Sequence, residues 1–368
     1  MSATVEQHLP LRRNFAPGTP GARAFEWVRR NLFGSVVNTL LTLLVLVLAA
    51  LILPPLFRWG IARASLSGVS RAACTGDGAC WTFIRVRLPL FFYGRYPSSE
   101  YWRVDLAGIL LVGFCIPVLR DSVRHRWLWL VLLLALFPAL ASVLLWGGVL
   151  GLDYVDTTLW GGLMLDIIIS FVTVAGSLPL GILLAMGRRS QLPIVRVLSI
   201  GYIELWRGVP LLTVLFMSAV LVPLFLPQGV SIDRLLRAMA ALVLFNAAYM
   251  AEVVRGGLQG VDSRQDEAAY SLGLRWWHVQ GFIVLPQALR IVVPGIINTV
   301  VDLFKDTTLV TIIGLFDLLG AVEQALKDPA WLGFAREGYV FSALVFFVCC
   351  YAMSAYGRSM ERRLARGQ

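Results

Sequence analysis

Eight stretches of this chain are apolar over about the 20 residues that a helix needs to cross a lipid bilayer. They fall near 36–56, 104–119, 128–150, 159–186, 198–226, 235–254, 288–304 and 338–357, the second being short and interrupted by Pro117. In hydrocarbon no water can satisfy a backbone N–H or C=O, so runs of this length fold as helices that close their own hydrogen bonds. An all-α integral membrane protein with about eight transmembrane helices is expected. Composition agrees: the chain is 58% hydrophobic, with mean hydropathy +0.75 and only 15% charged residues, against roughly 25% in soluble domains. The segment 307–326 is also apolar but carries Asp317 and Glu323, and reads as an interfacial or re-entrant helix in preference to a ninth span.

The net charge of +10 could suggest a nucleic-acid partner, but the arginines sit beside apolar runs, where positive flanks stay cytoplasmic and meet anionic lipid. No nucleic acid is expected; the bilayer is. Arg12, Arg13, Arg23, Arg29 and Arg30 precede the first span, Arg120, Arg124 and Arg126 follow the second, Arg188, Arg189 and Arg196 follow the fourth, and Arg358, Arg362, Arg363 and Arg366 close the chain. All fall inside if both termini are cytoplasmic. The loop 151–158, with Asp153 and Asp156 and no base, then faces out. One region disagrees: 57–103 holds Arg58, Arg63, Arg71, Arg85, Arg87, Arg95 and Arg103 yet falls outside, which a long or folded insertion tolerates. The first apolar run lies behind about 35 mostly polar residues and is long enough to span, so an uncleaved anchor is expected over a signal peptide.

Five cysteines show no metal-ligand spacing. Cys115, Cys349 and Cys350 fall in apolar runs as small filler, while Cys74 and Cys80 share the outside loop, open either to a disulfide in an oxidising compartment or to two free thiols. His8, His125 and His278 are scattered and suggest neither ligands nor a general base.

The loop before the seventh span has a local logic of its own. Ser263, with Asp266 three residues on, fits a helix N-terminal capping box, Glu267 suits the positive pole of the helix dipole, and Ala268 and Ala269 give a narrow, strongly helical surface. Gly273 can take a positive φ that ends this helix and lets a second begin through Trp276 and Trp277. Ile283, Leu285 and Pro286 follow, with the proline suited to the first turn of the next membrane helix. An ordinary amphipathic loop helix with a glycine cap would need only part of this pattern. The whole spacing, EAAYSLGLRWWHVQGFIVLP at 267–286, resembles the cytoplasmic EAA loop of ABC importer permeases, the element with which a membrane subunit grips its ATPase.

Further motifs are similar to those of the polar amino-acid uptake permeases: WGGLMLDIIIS at 160–170, YIELWRGVPLL at 202–212, NAAYMAEVVRGGLQGV at 246–261 and KDTTLVTIIGLFDLL at 305–319. In front of them, GACWTFIRVR at 78–87 and FFYGRYPSSEYWR at 91–103 resemble a membrane subunit of the general L-amino-acid importers of Gram-negative bacteria. The resemblance implies a cytoplasmic segment at 1–35, three extra transmembrane helices with a periplasmic insertion at 57–103 in 36–150, and a five-helix type I permease core in 151–368 with its coupling loop at about 255–286. It implies the bacterial inner membrane, an ABC ATPase dimer, a second related permease subunit and a periplasmic amino-acid-binding protein. One departure is that many relatives carry glycine before the glutamine of this loop, where Arg264 precedes Gln265 here.

Ionisable groups within spans are costly unless paired or wet, and so mark a transport path. Asp166, Glu204, Arg207, Glu252, Arg255, Asp302, Lys305 and Asp306 are the candidates. Glu204 and Arg207, one turn apart beside Gly208 and Pro210, could meet the ammonium and carboxylate of an amino acid, or simply neutralise each other. Glu252 and Arg255 repeat the spacing in a structural or gating position, and Asn246 and Asn298 could bond between helices. A P-loop needs a lysine after glycine; the only lysines are Lys305 and Lys327, and neither follows one. The chain is thus expected to bind no cofactor and to be no enzyme, with ATP and Mg²⁺ used by the partner ATPase in an alternating-access cycle. The competing expectation, an ion-coupled secondary transporter, would need internal repeats and leaves the 267–286 loop unexplained.

Overall fold

The structure is a computed structural model that describes residues 20–120 and 123–366; His8, Arg12 and Arg13 lie outside these. Its described residues divide into two compact units, one of 20–68 with 72–80 and one of 69–71 with 81–366.

In the first unit, α1 (Pro20–Leu32) leads by a short bend into α2 (Val36–Phe57), whose N-terminus is capped by Ser35 accepting from the Asn38 N–H at 3.2 Å. Pro54 and Pro55 remove two donors near the end of α2, and the chain answers with a wider π-turn over Arg58–Ala62 before leaving the helix. The loop beyond folds back on itself: the Ala79 N–H donates to the Trp59 carbonyl at 2.7 Å, the Ser65 N–H to the Ala79 carbonyl at 2.8 Å, and Cys74 and Cys80 are disulfide-bonded with Cα atoms 5.6 Å apart.

The second unit holds α3 (Trp81–Tyr93), α4 (Tyr101–Leu119), α5 (Arg126–Trp146), α6 (Gly162–Arg188), α7 (Pro193–Gly208), α8 (Leu211–Leu224), α9 (Arg234–Gly260), α10 (Ser263–Ser271), α11 (Leu285–Asp306), α12 (Leu318–Leu326) and α13 (Ala335–Arg366). Its centre is α9. Ala238, Ala241, Ala247, Ala248 and Ala251 are buried along it, and small side chains of this kind let membrane helices approach closely. α6, α7 and α11 pack around that stripe, and α13 packs on α11.

Seven described helices are long and apolar enough to cross a membrane, or eight if one bent pair counts as a span. That pair corrects the expected continuous helix at 198–226. It is two helices, α7 and α8, meeting at 99°. Pro210 offers no N–H and forces the residue before it out of helical geometry, so Val209 is extended, with φ −107° and ψ 136°. The stretch 307–326 is no span either. α11 runs on into tight turns over Thr307–Ile313, Gly314 reverses the chain, and α12 is nine residues long, too short to cross.

The region 57–103 is not one insertion: 58–62 continues α2, and 81–93 is α3, which buries Phe83, Ile84 and Phe91 and packs against α6, α12 and α13. Several arginines that break the charge pattern are anchored there. Arg87 pairs with Asp328; Arg95 lies 4.5 Å from the Phe316 ring centre and 2.5 Å from the Gln324 side-chain oxygen; Arg103 is buried, pairing with Glu100 at 2.6 Å and donating to the Asp153 carbonyl at 2.7 Å; Arg71 lies over Phe334. Cationic side chains consumed by local partners carry little information about sidedness.

After α3 the chain turns at Gly94, φ 65°, where a Cβ would stand 2.4 Å from the Gly161 Cα. Gly94→Val is therefore expected to destabilise the protein by about 1–3 kcal/mol through overpacking alone. Gly113→Ala, with open space around its Cβ, should stay within about 1 kcal/mol of the parent. Thermal unfolding of the two variants in the same detergent compares them.

Candidate functional site

The first candidate element is the loop between α9 and α11. α10 begins at Ser263, but its cap is Asp262: the Asp262 carboxylate accepts the Arg264 N–H at 3.0 Å, and Ser263 is already the first helical residue. The expected Ser263–Asp266 box is corrected accordingly. A signal for the real cap was present, since Asp262 has Gln265 three residues on, the more usual box. Arg264 also grips the Asp262 carboxylate from its guanidinium, at 2.5 and 2.9 Å, and this bond above all holds that carboxyl below its ordinary range. Asp266 instead faces Arg189 at 3.6 Å, at the end of α6.

The alanine pair divides its labour. Ala269 is buried in an apolar cluster that holds Val279 and Val284 and continues to Ala185, Ile203, Ala251 and Val254 of α6, α7 and α9, whereas Ala268 and Glu267 are exposed. Gly273 turns the chain with φ 79°, its N–H bonded to the Tyr270 carbonyl at 2.9 Å. Beyond it the second helix begins at Trp276, as expected, and runs on as one helical stretch to Ile313. Pro286 stands in the first turn of α11, as expected. A π-turn over Val279–Val284 precedes it, with the Leu285 N–H reaching the Gln280 carbonyl, and this wider turn accommodates the missing donor. Ile283 and Leu285 are half-buried beside it, and three large apolar side chains project outward: Leu272 at 82% exposure, Trp277 at 71% and Phe282 at 77%. Sequence spacing alone could not assign these to an outer face, because the helical phase is reset by the glycine and again by the π-turn.

The second candidate element is an ion cluster between α6, α7 and α9. Glu252 binds Arg255 at 2.8 Å through two oxygens, Arg188 at 2.8 Å and Arg207 at 3.6 Å; Glu204 reaches Arg188 at 3.4 Å. The expected Glu204–Arg207 pair is replaced by this network, in which Arg188 stands between two carboxylates from different helices. Three guanidinium groups face two carboxylates, leaving one positive charge in excess.

Other candidates have structural employment. Asp166, fully buried, accepts the Thr307 hydroxyl at 2.8 Å and the Leu318 N–H at 3.0 Å, so it fastens the first turns of α6 to the start of α12 and is not free to contact a solute. Asp317 caps α12 through the Gly320 N–H at 2.9 Å and also accepts the Thr311 hydroxyl. Asn246 bonds the Leu242 carbonyl of its own helix at 3.0 Å, in place of a bond between helices. Asp302 and Lys305 pair at 2.8 Å on the outer face of α11, both exposed, on the same face as exposed Asn298. No group of histidine, cysteine or carboxylate side chains with metal-ligand geometry occurs among the described residues.

A helical membrane bundle with a protruding, glycine-hinged knob is the architecture of a transporter's membrane subunit. The chain belongs to the family of binding-protein-dependent transport system inner membrane components, whose profile matches residues 177–366. It is 50% identical over 347 residues to the inner membrane amino-acid ABC transporter permease protein YhdY of Escherichia coli, covering 94% of this chain and 95% of that one. It is 37% identical to the glutamate/glutamine/aspartate/asparagine transport system permease protein BztC of Rhodobacter capsulatus, covering 93% of this chain and 94% of the relative. The probable glutamine ABC transporter permease protein GlnP of Bacillus subtilis is 30% identical and is 93% covered by only 56% of this chain. The protein is thus a multi-pass permease subunit of an ABC importer, not an ion-coupled secondary transporter and not an enzyme. In this family ATP is hydrolysed by a separate ATPase, and solute is delivered by a binding protein.

The ion cluster yields a prediction. Glu252, 17% exposed, neutralises three half-buried arginines, so Glu252→Gln should cost about 1–3 kcal/mol through the loss of charged hydrogen bonds, screened in part by solvent. Glu204 is 56% exposed with one long contact, and Glu204→Gln should cost under about 1 kcal/mol. Thermal unfolding in detergent separates the two.

Proposed function

We propose that this chain forms one half of the membrane channel of an ATP-driven importer of amino acids, with a broad L-amino-acid range, in the inner membrane with both termini cytoplasmic. Its companions would be an ABC ATPase dimer, a second related permease subunit forming a heterodimer with it, and a periplasmic amino-acid-binding protein. ATP and Mg²⁺ belong to the ATPase; no cofactor is assigned to this chain.

The observation that carries the reading is mechanical. The knob offers Glu267, Ala268, Leu272 and Trp277 outward, while Ala269 on its inner face is buried in an apolar cluster that includes Val279 and Val284 and reaches α6, α7 and α9. Asp266 adds a link to Arg189 of the α6–α7 connection, and the helical run from Trp276 carries the motion into α11 without a break. A partner that grips the outer face and changes shape with nucleotide shifts four membrane helices together. Such a partner moves the equilibrium between inward- and outward-open states only by binding the two differently.

For the solute, the accessible members of the two charged groups are the candidates: Glu204 and Arg207 at the cluster on α7, and Asp302 with Lys305 on α11. Each set offers an acceptor for an ammonium and a donor for a carboxylate, the headgroup that all L-amino acids share. Glu252 supports Arg207 from within α9, and Asn246 on the same helix is held by the Leu242 carbonyl.

Gly273 provides the test. A Cβ there meets nothing within 4 Å, so a substitution acts through φ alone. Gly273→Val, a β-branched residue held at positive φ, costs about 1–3 kcal/mol and should depopulate the docked knob by roughly tenfold. Gly273→Asn, which tolerates that φ, should retain function. With the permease complex in proteoliposomes, ATP-dependent amino-acid uptake and co-purification of the ATPase should both fall for valine and persist for asparagine. Equal activity of the two variants would refute the coupling role.

A further inference from the structure

A cavity of about 170 Å³ lies between α4 and α5 on one side and α6 and α9 on the other. At one end stand Trp146 and Trp160, ring centres 5.7 Å apart; at the other stand Phe137 and Phe171, 4.9 Å apart. Along α6 its wall extends from Met164 to Val172, roughly 12 Å of helical rise. The slot thus runs lengthwise between spans, from a pair of tryptophans toward the middle of the helices. Tryptophan is the residue that collects at the level of lipid headgroups.

The lining is almost wholly carbon. The Ser142 hydroxyl is already spent on the Ala139 carbonyl of its own helix, at 2.9 Å. The other donors are the indole N–H groups of Trp146 and Trp160, both at one end, and that of Trp160 is buried and without a hydrogen-bond partner among the described residues. Water needs two or more polar partners to stay in such a place, and beyond the tryptophan end this slot supplies none. An empty slot would forfeit dispersion contacts along both walls. The cavity is not sealed: Ile167 of α6, which lines it, is 39% exposed on the apolar surface of the bundle.

We propose that this slot is a resident phospholipid site, in which one acyl chain lies between the α4–α5 hairpin and the α6–α9 pair with its headgroup at the tryptophan end. The ligand class follows from the geometry: long, narrow, apolar, and continuous with the bilayer that a multi-pass protein occupies. An ester carbonyl at the tryptophan end is the acceptor that the Trp160 N–H lacks. The bound lipid then acts as filling between the front hairpin and the transport core, two parts that the slot keeps apart along much of their length.

Gly108 makes the site testable, because it lines the slot and a Cβ there meets nothing within 4 Å. Gly108→Leu should place a side chain where the lipid lies. The assembled permease complex would be reconstituted in nanodiscs containing phosphatidylethanolamine with a photoreactive diazirine in one acyl chain, irradiated, and its labelled peptides quantified by mass spectrometry. Labelling on the slot-lining segments of α4, α5 and α6 is expected to exceed that at lipid-exposed Val348 of α13. It should drop by roughly tenfold in Gly108→Leu, equivalent to about 1.4 kcal/mol of occupancy, with Val348 labelling unchanged. Ala141→Leu, from the α5 wall, is the second filling variant should the first fail to assemble. Slot labelling no stronger than at Val348, or undiminished in a filling variant that assembles, would overturn the proposal.

Discussion

Hydrocarbon allows no unpaired backbone, and the shape of this protein is largely a record of where the chain departs from straight helix and how it compensates. Pro210 opens the right-angled corner between α7 and α8, Pro54 and Pro55 are followed by a π-turn, and another π-turn precedes Pro286. Each departure leaves a carbonyl or an N–H to be rehoused, and a wider turn is the local remedy. Where the departure is larger, at 307–317, side chains take over. Asp166 and Asp317 accept the N–H groups at the start of α12, and Thr307 and Thr311 complete the set. The motif KDTTLVTIIGLFDLL is therefore a structural device first: its threonines and its aspartate hold a helix end in place.

Charge is handled with the same economy. Guanidinium groups are weakly hydrated and present a fixed fork of donors, so they suit desolvated pairs better than ammonium groups do, and this chain has 30 arginines among its 32 basic residues, the two lysines excepted. At the ends of α6, α7 and α9 they surround Glu252; near α3 they meet Asp328, Gln324, Glu100 and two aromatic rings. The first group joins three spans at one level. The second fastens α3 onto the turn-rich segment 307–334, which gives the front extension, beyond the length of the shorter relatives, a definite mechanical role around the core.

The coupling loop combines both principles. Its outer face is apolar and acidic, its inner face is a single buried alanine, and its hinge is a glycine whose surroundings are empty. A small side chain at Ala269 lets α10 lie close against the turn at Val279–Val284, and Asp266 pairs with Arg189, so displacement of the knob is passed on by direct contact.

Much of this was legible in the one-dimensional pattern. The number and approximate positions of the spans follow from runs of apolar residues, because the bilayer imposes a length and a hydrogen-bonding rule that act locally. The positive φ at Gly273 and the exposed Glu267 are local as well. Even the cap at Asp262 was there to be read beside Gln265. What only the tertiary structure decided are matters of partnership between distant residues: that Glu252 serves Arg188, 64 positions away, that Asp166 caps a helix 152 positions away, and that α3 docks on α6, α12 and α13. Periodicity reports which face of a helix is apolar, but not which neighbour meets it, and a corner of 99° at Pro210 or a reset of phase by a π-turn moves every later side chain to a face the sequence cannot announce.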